Sequence, residues 1–348
     1  MKHVSIVSGT AMTGKERVQR VLTGQHVDRP PMLPIIHSGL ASMLGMPLGR
    51  FFSEAEAMAR VMVRGCREFG LDGVQLSIGV TGEAEALGAL VEQPADGGPA
   101  LKQYLLADLG NLAALTQADP TAGGRMPMFY RAVESVVEGI GAESFVLATL
   151  RGPLLMASQL RGVQEVLIDM LDQPQEVERV LDFCVETATR LGRWLLQSGA
   201  HGLLLGEATC SPNFISPAFY RRFVLPRHQR LVAALQQAGW GAVGLHICGD
   251  TTAILEGIVS TGVDFLDLDY QVTPAKAMGI VRSRVAIRGN LDPSADFRFG
   301  TLEALREKTY WLRQEVGDER WILSSGCDIP PGTPYEKLRG FAVACSGQ

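Results

Sequence analysis

Two thiols and one imidazole stand where the sequence predicts that β-strands end. His246 and Cys248 close one predicted strand, and Cys327 follows the last one. Because the side chains of residues i and i+2 in extended backbone point to the same side, His246 and Cys248 can face one ion. Two sulfurs and a nitrogen form a soft ligand set that suits Zn²⁺, and three protein ligands leave a fourth position open for a reactant. The pattern therefore predicts a catalytic zinc site.

The same spacing leaves a structural interpretation open, because a lone cysteine is usually a small buried apolar residue. Cys66, Cys184 and Cys345 lie on helical patterns, and we assign them to packing. Cys210 is a weaker candidate for the metal. Six scattered cysteines in a chain of 348 residues do not form a disulfide framework, which indicates reduced thiols in a cytoplasmic protein.

Other polar side chains stand at the ends of neighbouring predicted strands. Glu207 is expected to fill the fourth zinc position at rest or to accept a proton. Asp267 and Asn290 are expected to orient substrate or ligands. The candidates for substrate binding at the same rim are His37, Arg151, Arg288 and Asp269.

The elements that must position these residues are short segments rich in valine, isoleucine and leucine, which alternate with amphipathic helical patterns. Their polar and apolar residues mostly do not alternate, which is typical of parallel strands buried on both faces. All eight carboxyl ends would meet at one rim of a (β/α)8 barrel, where barrel enzymes carry their catalytic groups. The expected fold is therefore α/β, a single-domain (β/α)8 TIM barrel over residues 1–348, with a doubly wound sheet as the alternative. The predicted strands are Met32–Ile36, Gly73–Ser77, Phe145–Thr149, Gly202–Gly206, Ala242–Ile247, Asp264–Leu268, Arg284–Arg288 and Trp321–Ser325.

Two regions fall outside this alternation. Residues 1–31 form an N-terminal extension, in which Thr13 and Glu16 have the spacing of a capping box that opens a helix. Residues 91–126 contain several glycines and prolines, and we interpret them as an insertion folded over the barrel mouth. Gly9–Lys15 matches the glycine and lysine spacing of a phosphate-binding loop, but Glu16 stands where a Mg²⁺-binding serine or threonine is required. We therefore reject nucleotide binding.

Composition excludes several classes of protein. The chain has 32 basic and 37 acidic residues, a net charge of −5 and no basic cluster, so we expect no nucleic-acid partner. No stretch reaches the roughly 18 apolar residues that a membrane helix needs. Met1–Thr10 has no apolar run of signal-peptide length. These observations favour a cytoplasmic enzyme that binds neither nucleic acid nor a membrane.

Motifs along nearly the whole chain carry a family resemblance. The strongest of these motifs are His246-Ile-Cys-Gly249 and Gly326-Cys327, and through them the chain resembles the uroporphyrinogen decarboxylase superfamily. Within it, the chain is similar to the zinc-dependent, corrinoid-linked methyltransferases, the group that contains methylcobamide:coenzyme M methyltransferase. The other motifs are Met12-Thr-Gly-Lys-Glu-Arg-Val18, Val27-Asp-Arg-Pro-Pro31, Glu83-Ala-Glu-Ala-Leu-Gly88, Arg151-Gly-Pro153, Ile215-Ser-Pro217, Gly289-Asn-Leu-Asp-Pro293 and Ser325-Gly-Cys-Asp-Ile-Pro-Pro-Gly-Thr-Pro334.

The resemblance implies that His246, Cys248 and Cys327 are the ligands of a catalytic zinc. It implies methyl transfer between a corrinoid and a small molecule, which is a zinc-activated thiol, a tetrahydrofolate-like acceptor or a methyl donor. The corrinoid-binding pattern D-x-H-x-x-G is absent from the sequence. The corrinoid is therefore expected on a separate partner protein that docks over the barrel mouth, with residues 91–126 as a candidate contact.

Two alternatives remain open at this stage. One is a metal-free decarboxylase of a small or tetrapyrrole carboxylic acid. Against it, Pro34-Ile-Ile-His-Ser38 replaces the arginine-bearing segment of uroporphyrinogen decarboxylase, and that enzyme's catalytic aspartate aligns near Ile78-Gly79, where there is no carboxylate. The other alternative is a non-catalytic corrinoid-binding barrel.

Overall fold

The structure, a computed structural model, describes residues 12–317 and 320–347. Residues 1–11 lie outside the described residues. They include Met1–Thr10, considered above as a signal peptide, and Gly9 of the rejected phosphate-loop pattern. The capping box of the extension is confirmed, since Thr13 Oγ1 accepts from the Glu16 N–H and the Glu16 carboxylate accepts from the Thr13 N–H.

A parallel sheet is the centre of the described structure. β1 and β4–β9 form it, and each of these strands pairs in parallel with the next one along the chain. Every strand residue in this sheet except His246 is buried, which is why the strands lack polar alternation. The strands are β1 Gly73–Leu76, β2 Val91–Glu92, β3 Ala100–Leu101, β4 Phe145–Arg151, β5 Gly202–Gly206, β6 Val243–His246, β7 Phe265–Asp267, β8 Ala286–Leu291 and β9 Trp321–Ser325.

Helices follow most of these strands. The described α-helices are α1 Gly14–Leu22, α2 Ser38–Met43, α3 Leu48–Ser53, α4 Ala55–Phe69, α5 Gly82–Ala86, α6 Leu112–Leu115, α7 Met126–Ile140, α8 Pro153–Arg161, α9 Val163–Asp172, α10 Pro174–Leu195, α11 Pro217–Phe219, α12 Leu225–Ala238, α13 Leu255–Val259, α14 Pro274–Val281, α15 Leu302–Val316 and α16 Tyr335–Ser346. None of them combines the length and the apolar character that crossing a bilayer requires.

The predicted first strand, Met32–Ile36, is wrong as a full strand. Met32 makes one isolated parallel bridge, to Leu323 of β9. The segment is nevertheless bound on both sides, because Leu33 N–H donates to Leu323 O at 3.0 Å and Asp72 N–H donates to Met32 O at 3.0 Å. Prolines have no N–H for a ladder; Pro30 and Pro31 directly precede the segment, and Pro34 lies inside it. The structure therefore shows a curled seven-stranded α/β sheet, with an irregular segment between β9 and β1.

Asp72 fixes that segment to the start of β1. Its side chain accepts from Arg17 Nη1 at 2.7 Å, from Arg29 Nη1 at 2.6 Å and from the Met32 N–H at 2.8 Å. Asp72 is buried, and removing one partner of such a pair costs about 3–5 kcal/mol. The Val27–Pro31 motif thus has a structural role in this chain.

The amino-terminal end of the sheet is covered by α1. Val18, Val21 and Leu22 of this helix pack into one apolar cluster with residues of the sheet and of the irregular segment. The cluster closes this end, so the polar strand ends lie at the opposite one. Its other buried members are Leu33 of the segment, Ala242 just before β6, and Phe145, Leu147, Leu204, Phe265, Ala286 and Ile322 of the sheet.

Residues 91–126 contain a short antiparallel hairpin, β2 with β3. The hairpin lies beside the carboxyl end of β1, since a Cβ on Gly79 would stand 3.0 Å from Pro99 Cγ. Further along, Leu106 N–H donates to Leu160 O of α8 at 2.8 Å. The region therefore flanks the rim where the polar strand ends meet.

His201, just before β5, makes the free energy of unfolding depend on pH. Its Nδ1 accepts from the Val146 N–H at 3.0 Å, and burial lowers its pKa to about 4 from 6.5, with a smaller contribution from Lys15. Since the unfolded chain takes up a proton here that the folded chain does not, stability is lost as pH falls from 6.5 through 4.

His201→Asn keeps an acceptor near the position of Nδ1 and removes the titration. We expect urea unfolding at about pH 7 and about pH 4.5 to show a smaller loss of unfolding free energy for this variant than for the wild type. Equal losses would contradict this account.

Candidate metal centre and its cavity

The structure brings the three predicted metal ligands together at the carboxyl ends of β6 and β9. His246 Nε2 lies 3.3 Å from Cys248 Sγ and 3.6 Å from Cys327 Sγ, and the two sulfurs are 3.8 Å apart. Cys327 is 79 positions from Cys248 along the chain, so only the fold can bring these thiols together. All three side chains are partly exposed to a cavity.

The donor geometry fits a tetrahedral zinc ion. With Zn–S near 2.3 Å and Zn–N near 2.0–2.1 Å, tetrahedral angles require about 3.8 Å between two sulfurs and about 3.6 Å between a sulfur and a nitrogen. The observed separations are 3.8, 3.6 and 3.3 Å. The residues present therefore fit the ion in both donor type and spacing.

Asp267 orients the imidazole of the cluster. Its Oδ2 accepts from His246 Nδ1 at 2.9 Å, which leaves Nε2 directed at the sulfurs. Arg288 binds the same carboxylate in a bidentate manner, with Nε to Oδ1 at 2.7 Å and Nη2 to Oδ2 at 2.6 Å. The strand register places these residues side by side, because His246 pairs with Asp267 and Asp267 pairs with Arg288. A carboxylate behind a ligand histidine is the usual outer support of zinc sites.

Arg288 was predicted to bind substrate, but the structure does not place it among the residues that line the cavity. The side chain is fully buried and is used by Asp267 and by Gln75, whose Oε1 accepts from Nη2 at 2.6 Å. Arg288 points into the interior of the sheet because its position in β8 puts it level with Asp267 of β7. It supports the cluster from behind instead of facing the cavity.

The side chains of Asp269 and Asn290 form hydrogen bonds with the backbone around the cluster. Asp269 Oδ2 accepts from the Gly249 N–H at 2.9 Å, which holds the turn after Cys248, where Gly249 has φ +86°. Asn290 Nδ2 donates to Asp269 O at 3.2 Å and to Val272 O at 2.7 Å. Asn290 was expected to follow its strand and instead lies inside β8. The amide of Asn290 and Oδ2 of Asp269 are thus bound to the protein backbone.

Glu207 does not join the metal cluster. It follows β5 as expected, but its carboxylate is fully buried and accepts from the Leu154 N–H at 3.0 Å and the Leu155 N–H at 2.7 Å. His228 Nε2 lies 2.9 Å from its Oε1. The expectation that it fills the fourth zinc position at rest is therefore not what the structure shows.

The cavity beside the cluster has a volume of about 210 Å³ and is lined in part by His37, Arg151, Glu207 and Asp328. Arg151 is buried and donates to Ser77 Oγ, but its Nε has no partner. Burial lowers the pKa of Arg151, and the more distant carboxylates of Glu83, Asp328 and Glu207 only partly offset it. Its guanidinium makes no ion pair in the part of the chain that the structure describes.

His37 lies on the same wall, as predicted from its place after the first segment. Its Nδ1 is 3.1 Å from Asp328 Oδ1, and its Nε2 is buried without a hydrogen-bond partner. Thr149 Oγ1 is a further buried polar atom of this wall with no partner among the described residues. These atoms leave hydrogen-bonding capacity for a polar ligand in the cavity.

His246 and Cys327 hold their protons tightly, whereas Cys248 gives up its proton more easily. Burial lowers the pKa of His246, but hydrogen bonds to Asp267 and Cys327 outweigh burial and raise it to about 10. The hydrogen bond with Cys327 lowers the pKa of Cys248, and the same contact raises that of Cys327. A divalent cation that binds here must displace protons, so its binding releases them.

Several residues of the site were missed by the sequence analysis. Ser77 and Thr149 lie at ends of predicted strands, and their position alone could have indicated the cavity wall. Asp328 directly follows a predicted ligand, so its place at the rim was readable from the sequence, but no role was predicted for it. His228 and Tyr220, which form the network behind Glu207, carry no spacing pattern that singles them out.

Comparison with known proteins identifies relatives of this chain. The family described as uroporphyrinogen decarboxylase (URO-D) matches residues 13–347. The methylcobamide:CoM methyltransferase MtbA of Methanosarcina mazei is 29% identical over 345 residues, which are 97% of this chain and 98% of that protein. The methylcobamide:CoM methyltransferase MtaA of Methanosarcina barkeri is 24% identical over 343 residues, 95% and 97% of the two chains. A solved methyltransferase structure from Methanosarcina mazei has a TM-score of 0.89 at 23% identity, covering 97% of this chain and 99% of that one. At this identity the solved structure shows a common fold.

The geometry predicts which thiols matter for metal binding. Cys248→Ser and Cys327→Ser each remove a soft ligand, so we expect zinc affinity to fall by more than the roughly 10–100-fold loss typical of changes in outer support. Cys184→Ala is the matched control, because Cys184 is fully buried in α10 and is not part of the cluster. Competition with a chromophoric chelator measures the affinities. Unchanged zinc binding in both serine variants would rule the cluster out as a metal site.

Proposed function

The chain belongs to the uroporphyrinogen decarboxylase family, and from this premise we propose that it is a zinc-dependent methyltransferase acting between a corrinoid and a small thiol. The observation that carries the proposal is the convergence of His246, Cys248 and Cys327 at tetrahedral spacing on the wall of a small cavity. The relatives named methylcobamide:CoM methyltransferase support the same reaction class.

Zinc held by this cluster would lower the pKa of an acceptor thiol and keep its sulfur as a reactive thiolate. In the transfer, the thiolate sulfur forms a bond to the methyl carbon while the cobalt–carbon bond of the corrinoid breaks. The electron pair of that bond stays on cobalt, and the thiol proton goes to solvent. The chain's own residues hold the proposed metal ligands in place. Asp267 holds the His246 ring, and Asp269 holds the turn after Cys248.

The size of the cavity determines which of the two reactants can enter it. Its volume of about 210 Å³ is below the roughly 300–1,000 Å³ of pockets that enclose drug-sized ligands. A small thiol fits inside, whereas a corrin ring must stay at the mouth and present its methyl group to the cavity. We propose that a separate corrinoid protein brings it there and contacts the hairpin β2–β3. In this proposal the irregular segment at Met32 closes the sheet as a (β/α)8 barrel, and residues 1–348 form one cytoplasmic domain.

The environment of Arg151 favours a methyl acceptor that carries an acidic group. A buried guanidinium without a counter-ion is unfavourable, because the attraction of a carboxylate or sulfonate normally offsets its loss of hydration. Arg151 lies on the cavity wall with an unpartnered Nε. An anionic thiol would bring the missing charge. One unpaired cation and about 210 Å³ do not suit a tetrapyrrole with many carboxylates, which disfavours uroporphyrinogen as substrate.

The reaction can be tested with free methylcobalamin and 2-mercaptoethanesulfonate. We expect the zinc-loaded protein to demethylate methylcobalamin at least about tenfold faster than the chelator-treated protein, a lowering of the barrier by about 1.4 kcal/mol. The absorbance of methylcobalamin reports the loss of methyl, and mass spectrometry identifies the thioether. If the zinc-loaded protein is no faster with any tested thiol, the proposed function is wrong and a non-catalytic barrel becomes the better interpretation.

Arg151→Gln tests the acidic group of the acceptor. A hydrogen bond to a charged group contributes about 1.5–3 kcal/mol, so we expect KM for 2-mercaptoethanesulfonate to rise about 10–100-fold. KM for the uncharged 2-mercaptoethanol should change little. Arg222→Gln is the control, because Arg222 is exposed and is not part of the cavity wall. An equal effect on both thiols would argue against an anion site.

A further inference from the structure

Glu207 lines the cavity of the metal cluster, yet its carboxylate is held in the opposite direction. The carboxylate lies against Gly152, where a Cβ would stand 2.5 Å from Cγ, Cδ and Oε1 of Glu207. It accepts from the Leu154 and Leu155 N–H groups in the first turn of α8. The positive end of a helix favours an anion at this position.

Two further side chains complete the coordination of this carboxylate. His228 is fully buried, and its Nε2 is 2.9 Å from Glu207 Oε1. Cys210 is also fully buried beside Glu207, and burial raises the pKa of its thiol, so the S–H stays protonated. The carboxylate therefore has hydrogen bonds from two backbone amides and from His228, with the neutral thiol of Cys210 close by.

Tyr220 fixes the proton on the ring of His228. Its hydroxyl lies 3.3 Å from His228 Nδ1, and burial raises the pKa of Tyr220, so the hydroxyl keeps its proton and donates to Nδ1. His228 then carries its own proton on Nε2, where it donates to Glu207. The π-helical segment Tyr220–Val224 precedes α12 and shifts the helical phase between the two rings. Such single π-helical turns are frequent at functional sites.

Glu207, Cys210 and His228 have ligand atoms within 4.8 Å of one another, so a second metal site must be considered. The hydrogen bonds argue against it. The imidazole nitrogens are both used, one as donor and one as acceptor, and burial raises the pKa of the Cys210 thiol, so it keeps its proton. A metal would have to displace these protons from a group of residues that is already satisfied.

We infer that His228 and Tyr220 are positioning residues that keep the Glu207 carboxylate away from the metal cluster, so that the fourth ligand position stays free for the thiol. The inference rests on the proposed function. A carboxylate at the wall of this cavity would be a competent zinc ligand if it were released. The network prevents this by binding both carboxylate oxygens on the side of α8 and α12.

The experiment replaces zinc by Co²⁺ and measures the binding of 2-mercaptoethanesulfonate from the sulfur-to-metal charge-transfer band. In His228→Phe we expect the Co²⁺ spectrum without thiol to differ from that of the wild type, because Glu207 then reaches the metal. The dissociation constant of the thiol should rise about tenfold or more. The double variant Glu207→Gln/His228→Phe should bind the thiol as Glu207→Gln alone does, since there is no longer a competing carboxylate.

Gly152→Ala serves as a second release variant, because its Cβ would occupy the seat of the carboxylate. His201→Asn is the matched control, a change of a partly buried histidine at the other end of the sheet, and it should leave spectrum and affinity unchanged. Wild-type spectra and affinities in both release variants, with folding verified by near-ultraviolet circular dichroism, would overturn the inference. Two equivalents of Co²⁺ per wild-type chain would overturn it as well. A wild type that binds no Co²⁺ or no thiol would refute the proposed function itself, and the inference with it, before any variant is compared.

Discussion

The carboxylate of Asp267 is the group on which the arrangement of the three candidate metal ligands depends. It is fully buried and binds His246 on one side and Arg288 on the other. A carboxylate removed from water costs several kcal/mol unless it is paired, and Arg288 supplies that pairing. With its charge retained, Asp267 fixes the ring of His246 so that Nε2 faces the sulfurs of Cys248 and Cys327. The parallel register makes this arrangement possible, because it sets the three partners on adjacent strands at one level.

The sequence was sufficient to indicate that His246, Cys248 and Cys327 lie together, and insufficient for the direction of the side chains around them. His246, Cys248 and Cys327 follow buried apolar segments, and in parallel sheets the carboxyl ends of such segments meet. Arg288 and Glu207 also stand at the ends of predicted strands, but whether a side chain turns to the cavity depends on partners that are distant in the chain, here Asp267, Leu154 and His228. Spacing carries no information about those contacts. The failure at Met32–Ile36 is different, since the two prolines before the segment and Pro34 inside it were readable signals against a full strand.

Two buried charged side chains on one cavity wall differ in how many hydrogen-bond partners the protein supplies to them. Glu207 is surrounded by donors from the protein, whereas Arg151 has a single side-chain partner and an unpartnered Nε. Burial penalises both charges, so the difference needs a reason. A charge that the protein satisfies fully is kept for the protein's own structure. A charge left without a counter-ion in a cavity indicates where a ligand brings the opposite one.

Three consecutive residues connect these two charges. Arg151 ends β4 and presents the unpaired guanidinium. Gly152 leaves room for the carboxylate of Glu207, and Pro153 begins α8, whose next two N–H groups bind that carboxylate. Gly206, directly before Glu207, makes the corresponding room for Arg151, since a Cβ there would stand 2.5 Å from Nη1. Each charged residue thus lies against a glycine of the other's strand end, and a side chain at either glycine would move one of the two charges that shape the cavity.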